Sequence, residues 1–125
     1  MVQKSKLVYE ELTYRIIGIL FKVHNLLGGS LEERYYQRAL EKEFKEQEID
    51  VTYEGQKIGK HRLDFIVEGK VIIELKTLPF IGSKETNQLL AYLKSTGVKV
   101  GLLVNFRSPK VAYKRVINPL SAKSV

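Results

Sequence analysis

Apolar residues recur at intervals of three and four through Leu12, Ile16, Ile19, Leu20, Val23 and Leu27. That period predicts an amphipathic helix over Val8–Leu27. Gly28-Gly29 ends it, and Ser30 with Glu33 three residues on reads as a capping box. A second helix then runs from about Leu31 to Gln47, with Tyr36, Leu40 and Phe44 as its buried stripe. The period next switches to two. Ile49–Tyr53 reads as a strand, and Arg62–Val67 and Val71–Lys76 flank Glu68-Gly69-Lys70 as a hairpin. Pro79 and Gly82 close the strand region. Lys84–Ser95 carries Leu89, Leu90 and Leu93 as a third helix, with Gly97 as its C-cap. Val98–Asn105 reads as a buried strand, Tyr113–Ile117 as a short last one, and Ser121–Val125 as a polar tail.

This order predicts an α/β protein, a mixed central sheet flanked by helices. The stretch from Val71–Lys76 through the third helix to Val98–Asn105 has the length of a βαβ unit. The hairpin carries a geometric expectation. A turn centred on Gly69 sets Asp64 opposite Glu74 and Arg62 opposite Lys76, all on one face. The other face holds Leu63, Phe65, Val67, Val71, Ile73 and Leu75 and is all core.

Composition narrows the class. The 125 residues are expected to form one domain, with a core over about 8–118. There is no cysteine, which excludes disulfides, thiolate metal sites and a cysteine nucleophile. No stretch is long and apolar enough for a membrane span, and the N-terminus lacks a signal-peptide pattern, so a cytoplasmic protein is expected. Lys and Arg number 21 against 14 Asp and Glu, a net charge of +7. That excess suggests a polyanionic partner, nucleic acid above all. Lys60, Arg62, Lys84 and Lys94 are candidates for phosphate contacts, and solvated surface charge is their alternative reading.

The candidate chemistry lies in the hairpin. Two facing carboxylates, Asp64 and Glu74, repel each other on an otherwise apolar sheet, and a divalent cation is the natural remedy. Oxygen ligands suit Mg²⁺ or Mn²⁺. Lys76, two residues from Glu74 on the same face, suits the orientation of water or the stabilisation of charge on a phosphate. These parts fit metal-assisted hydrolysis of a phosphodiester. The alternative is a solvated edge hairpin in which Asp64 and Glu74 pair with Arg62 and Lys76.

Asp64 followed by Glu74-x-Lys76 on the next strand and then a helix resembles the PD-(D/E)XK nuclease superfamily. Further motifs in order resemble its GxxExxY proteins: Val23-His24-Asn25-x-Leu27-Gly28, Tyr36-Gln37-x-Ala39-Leu40, Gln88-Leu89-Leu90-x-Tyr92-Leu93-Lys94 and Gly101-Leu102-Leu103-Val104-Asn105-Phe106. The signature fits two phases. Gly29-x-x-Glu32-x-x-Tyr35 matches by its letters, and Glu33-x-x-Tyr36 matches by its phase with Gln37-x-Ala39-Leu40. Leu63 stands where the superfamily's name has Pro. The resemblance implies a restriction-endonuclease-like αβββαβ core with metal ligands Asp64 and Glu74. It further implies the Leu75 carbonyl as a ligand, Lys76 as the residue positioning the attacking water, and Glu33 and Gln88 as additions to the site.

The expectation is a Mg²⁺- or Mn²⁺-dependent nuclease hydrolysing DNA, structure-selective or weakly sequence-specific, working as a homodimer. One alternative is a nucleic-acid-binding module on a nuclease fold with weak or lost catalysis. Another is an interaction protein with a merely solvated hairpin.

Overall fold

The computed structural model describes residues 9–52, 57–58, 61–62, 65–107 and 109–122, of which 57–58, 61–62 and 121–122 are described by backbone alone. Helix α1 spans Glu10–Leu27 and buries Ile16, Ile19, Leu20, Val23 and His24 along the predicted stripe. Gly28 ends it at φ 76°, a left-handed value that suits glycine.

Helix α2 spans Glu33–Glu46, so its start corrects the expected capping box. Glu32 at φ −73°, ψ 156° is the N-cap, and Ser30 is not. The cause is Tyr36, whose hydroxyl donates to the Gly28 carbonyl and accepts the Leu31 N–H. That bracket satisfies the connector's polar groups and holds the chain extended until Glu33. Lys22 of α1 pairs with Glu43 of α2 at 3.0 Å.

The main sheet has five strands. In chain order these are β1 (Val51–Thr52), β4 (Phe65–Val67), β5 (Val71–Lys76), β6 (Val100–Asn105) and β7 (Ala112–Ile117). They lie side by side in that order; β5 and β6 are parallel and the other neighbours antiparallel. The hairpin register is the expected one, with Phe65 on Ile73, Ile66 on Ile72 and Val67 on Val71. Glu68 and Gly69 both have positive φ, and Lys70 N–H donates to the Val67 carbonyl, as the right-handed twist of a hairpin favours.

Arg62 corrects a second expectation. It lies in β3 (His61–Arg62), which pairs with β2 (Lys57–Ile58) as a separate two-stranded ladder, Lys57 on Arg62. The backbone of Arg62 is thus paired in that ladder and is not in register with Lys76 in the main sheet. Asp64 and Lys60 lie outside the described residues.

Helix α3 (Ser83–Thr96) ends at Gly97, again left-handed at φ 76°. It makes the β5-to-β6 crossover and covers one face of the sheet, packing Leu89, Tyr92 and Leu93 on Ile72, Leu103 and Val116. Helices α1 and α2 cover the other face over Phe65, Val67, Val71, Ile73, Leu75, Val100, Leu102 and Val104. Strand β6 is buried throughout, as a parallel strand covered on both faces must be. A short helix α4 (Pro119–Ala122) replaces the start of the expected polar tail. Asn118 before it is buried, donates to the carbonyls of Leu93 and Val98, and accepts the Leu120 N–H.

Candidate active site

Side chains alternate along β5, so Glu74 and Lys76 share the α3 face with Ile72. Hydrophobic residues bring the rest of that face inside, and Glu74 goes with them at 1% exposure. Neither of its carboxylate oxygens has a hydrogen-bond partner among the described residues. Lys76 Nζ stands 3.6 Å from Glu74 Oε1, an ion contact longer than a hydrogen bond. The same ammonium donates to Gln88 Oε1 on α3 at 3.4 Å.

Glu33 enters from the opposite layer. As the first residue of α2 it reaches round the end of β5, where its carboxylate accepts the Thr77 N–H and feels the Lys76 charge. Glu32 is instead exposed and lies 3.7 Å from Arg34. Glu33, Glu74, Lys76 and Gln88 therefore converge at the carboxyl end of β5. Open α/β sheets bind ligands at that end of their strands.

The electrostatics follow from burial. Desolvation pushes the Glu74 carboxyl up to about 7, against the pull of Lys76 and helped by the charges of Glu33 and Glu85. Burial also raises Glu33, opposed by Lys76 and the Thr77 N–H. A buried carboxylate without hydrogen bonds is costly unless a cation meets it. Its surroundings offer oxygen donors, which suit Mg²⁺ or Mn²⁺. Among the described residues no three acidic or histidine side chains stand close enough to hold a metal ion. The residue expected beside Glu74, Asp64, lies outside them. No helix among them is long and apolar enough to cross a membrane.

Two participants were not anticipated. Asn105 is buried at the end of β6 and clamps the segment after Lys76. Its Oδ1 accepts the N–H groups of Leu78 and Arg107, at 3.1 and 3.2 Å, and its Nδ2 donates to the Leu78 carbonyl at 2.8 Å. Glu85 accepts the Gly82 N–H at 2.7 Å and opens α3 beside the site. A Glu in the first turn of a helix after a loop glycine is the sequence signal for that role.

Other candidates disperse. Lys84 is exposed in the first turn of α3, near the site. Lys94 is exposed in the last turn, ten residues and about 15 Å along the helix, at the other end of the sheet. His24 is buried and stacks on Phe106 at 6.1 Å, and Tyr36 stacks on the same ring at 4.4 Å. Both belong to the core under the site.

No curated protein matches the chain in sequence. Among solved structures, the crystal structure of an alkaline exonuclease from Laribacter hongkongensis is similar over 97% of this chain and 75% of that one, at 14% identity and a TM-score of 0.43. A likeness that loose carries no argument. The sequence profile of the PD-(D/E)XK nuclease superfamily matches residues 10–116, nearly the whole chain, and the protein belongs to that superfamily.

Proposed function

We propose that this chain is a divalent-metal-dependent nuclease that hydrolyses DNA phosphodiesters, and that it falls among the GxxExxY proteins. One observation carries the reading. Glu74 is a fully buried carboxylate whose oxygens find no hydrogen-bond partner among the described residues, beside a partly buried ammonium at the open end of the sheet. A purely structural ion pair would be bonded or solvated.

Glu74, Asp64 and the Leu75 carbonyl, with Glu33, would hold the cation. Asp64 directly precedes Phe65, whose partner across the hairpin is Ile73. When bound, the cation supplies positive charge to the scissile phosphate. Lys76 is held by Glu74 on one side and Gln88 on the other, which leaves a donor for a water or a phosphate oxygen. The basic surplus of the chain attracts the polyanion, and so small a surface suits weak sequence readout.

The test is incubation with duplex, single-stranded and branched DNA, and with RNA, in Mg²⁺, Mn²⁺ or EDTA. Metal-dependent cleavage of at least one DNA is expected. Salt-sensitive binding without cleavage in either metal contradicts the nuclease and favours a binding module.

A further inference from the structure

A cavity of about 410 Å³ lies beside the candidate site, lined by Gly29, Ser30, Leu31, Glu32, Thr77 and Arg107. Two of these residues adjoin the site along the chain. Glu32 precedes Glu33, and Thr77 follows Lys76 and gives its N–H to the Glu33 carboxylate. The cavity and the acidic cluster therefore share a wall. The volume falls within the range of small-ligand sites, about 300–1,000 Å³, room for one nucleotide and not for a duplex.

The lining favours an anion. Among the described residues of its lining Arg107 is the one cation, and Ser30 and Thr77 bring hydroxyls. Glu32 is the one acid among them, and Arg34 stands 3.7 Å from that carboxylate. The Arg107 guanidinium has no hydrogen bond or ion pair among the described residues, yet its backbone is anchored, because its N–H donates to Asn105 Oδ1 at 3.2 Å. The buried clamp that orders the segment after Lys76 also fixes the base of Arg107. A planar guanidinium on a fixed backbone suits bidentate contact with a phosphate.

We propose that this cavity is a subsite for the phosphate flanking the one cleaved, with Arg107 as its anion-binding residue. It rests on the nuclease reading and extends it: the strand is gripped one nucleotide away from the bond that breaks. The nucleotide it holds must be unstacked from any duplex, so strand ends, flaps and single strands are the favoured substrates.

The test is a cycle between enzyme and substrate. A single-stranded oligonucleotide carries either natural linkages or one neutral methylphosphonate flanking the cleavage position. The wild type is expected to lose about tenfold in kcat/KM on the methylphosphonate, the scale of one charge-assisted hydrogen bond. Arg107→Ala is expected to show that loss already on the natural strand and none further on the modified one, and Arg107→Lys part of it. Independent, multiplying losses, or Arg107→Ala within twofold of the wild type, overturn the subsite and leave the nuclease reading standing. If the wild type cleaves no DNA, that reading fails and binding decides the subsite. Deoxyadenosine monophosphate is then expected to raise the melting temperature of the wild type and not of Arg107→Ala, with deoxyadenosine inert. Equal effects on both proteins overturn it.

Discussion

Lys76 Nζ lies 3.6 Å from Glu74 Oε1, and that charge contact only partly offsets the burial of the Glu74 carboxylate, which stays raised to about 7. The folded protein therefore holds a proton on Glu74 that the unfolded chain, near 4.5, has released. Stability without metal is fully present below the unfolded value and is lost as pH rises through about 7. The loss amounts to roughly 3 kcal/mol at most. Urea melts in EDTA from pH 4.5 to 8 should show the decline, and Glu74→Gln should flatten it. A wild-type profile that rises over this window contradicts the assignment.

Divalent cation should reverse that decline. An ion that binds the charged folded site and not the unfolded chain adds about 2.7 kcal/mol at a hundred times its dissociation constant. Mg²⁺ or Mn²⁺ should thus raise the melting temperature more at pH 8 than at pH 5, and the rise should vanish in Glu74→Gln. Calcium is a useful comparison, because it occupies oxygen sites without demanding octahedral geometry.

Much of the fold was legible in the sequence, for local reasons. Alternation along Val71–Lys76 and a turn glycine at Gly69 were enough to give the hairpin register, since a slip of one residue turns every apolar side chain out of the core. Helix α3 declared itself by its leucines and Gly97. What escaped depends on contacts between distant segments. The Tyr36 hydroxyl resets the start of α2 by holding Gly28 and Leu31, and no local cap signal reports it. Arg62 pairs with its near neighbour Lys57, a choice that binary patterning leaves open. Glu74 and Lys76 could be placed on one face from spacing, whereas Glu33 and Gln88 come from helices on opposite faces of the sheet. Only the family motif hinted that they meet. The Asn105 clamp is a tertiary network, invisible to periodicity.

Asn105→Ala should loosen the segment after Lys76. It strands the Leu78 and Arg107 N–H groups and the Leu78 carbonyl in a partly buried setting. The expected loss is about 2–4 kcal/mol of stability. Hydrogen exchange should quicken at Leu78 and Arg107 more than at β5. Unchanged exchange at Leu78 contradicts the clamp.

Gly101→Ala should disturb the packing of α3. A Cβ there meets Leu89 Cδ1 at 2.8 Å, and Leu89 is fully buried. The helix must shift or Leu89 must change rotamer, at about 1–3 kcal/mol. Because Gln88 adjoins Leu89, the shift should also weaken its contact with Lys76. Leu89→Ala added to Gly101→Ala should recover part of the stability that Gly101→Ala loses, measured against Leu89→Ala alone.

The most direct measurement is the single-turnover rate of DNA cleavage in saturating Mg²⁺ by the wild type and by Lys76→Ala. Lys76 is one-fifth exposed and among the described residues makes one hydrogen bond and one ion contact, and in saturating Mg²⁺ the bound cation supplies the positive charge that Glu74 loses with it. The rate should fall about 10³-fold, the scale of losing one donor to developing charge, in a variant whose circular dichroism is that of the folded wild type. A variant that cleaves within threefold of the wild type contradicts the assignment of this cluster as the hydrolytic site.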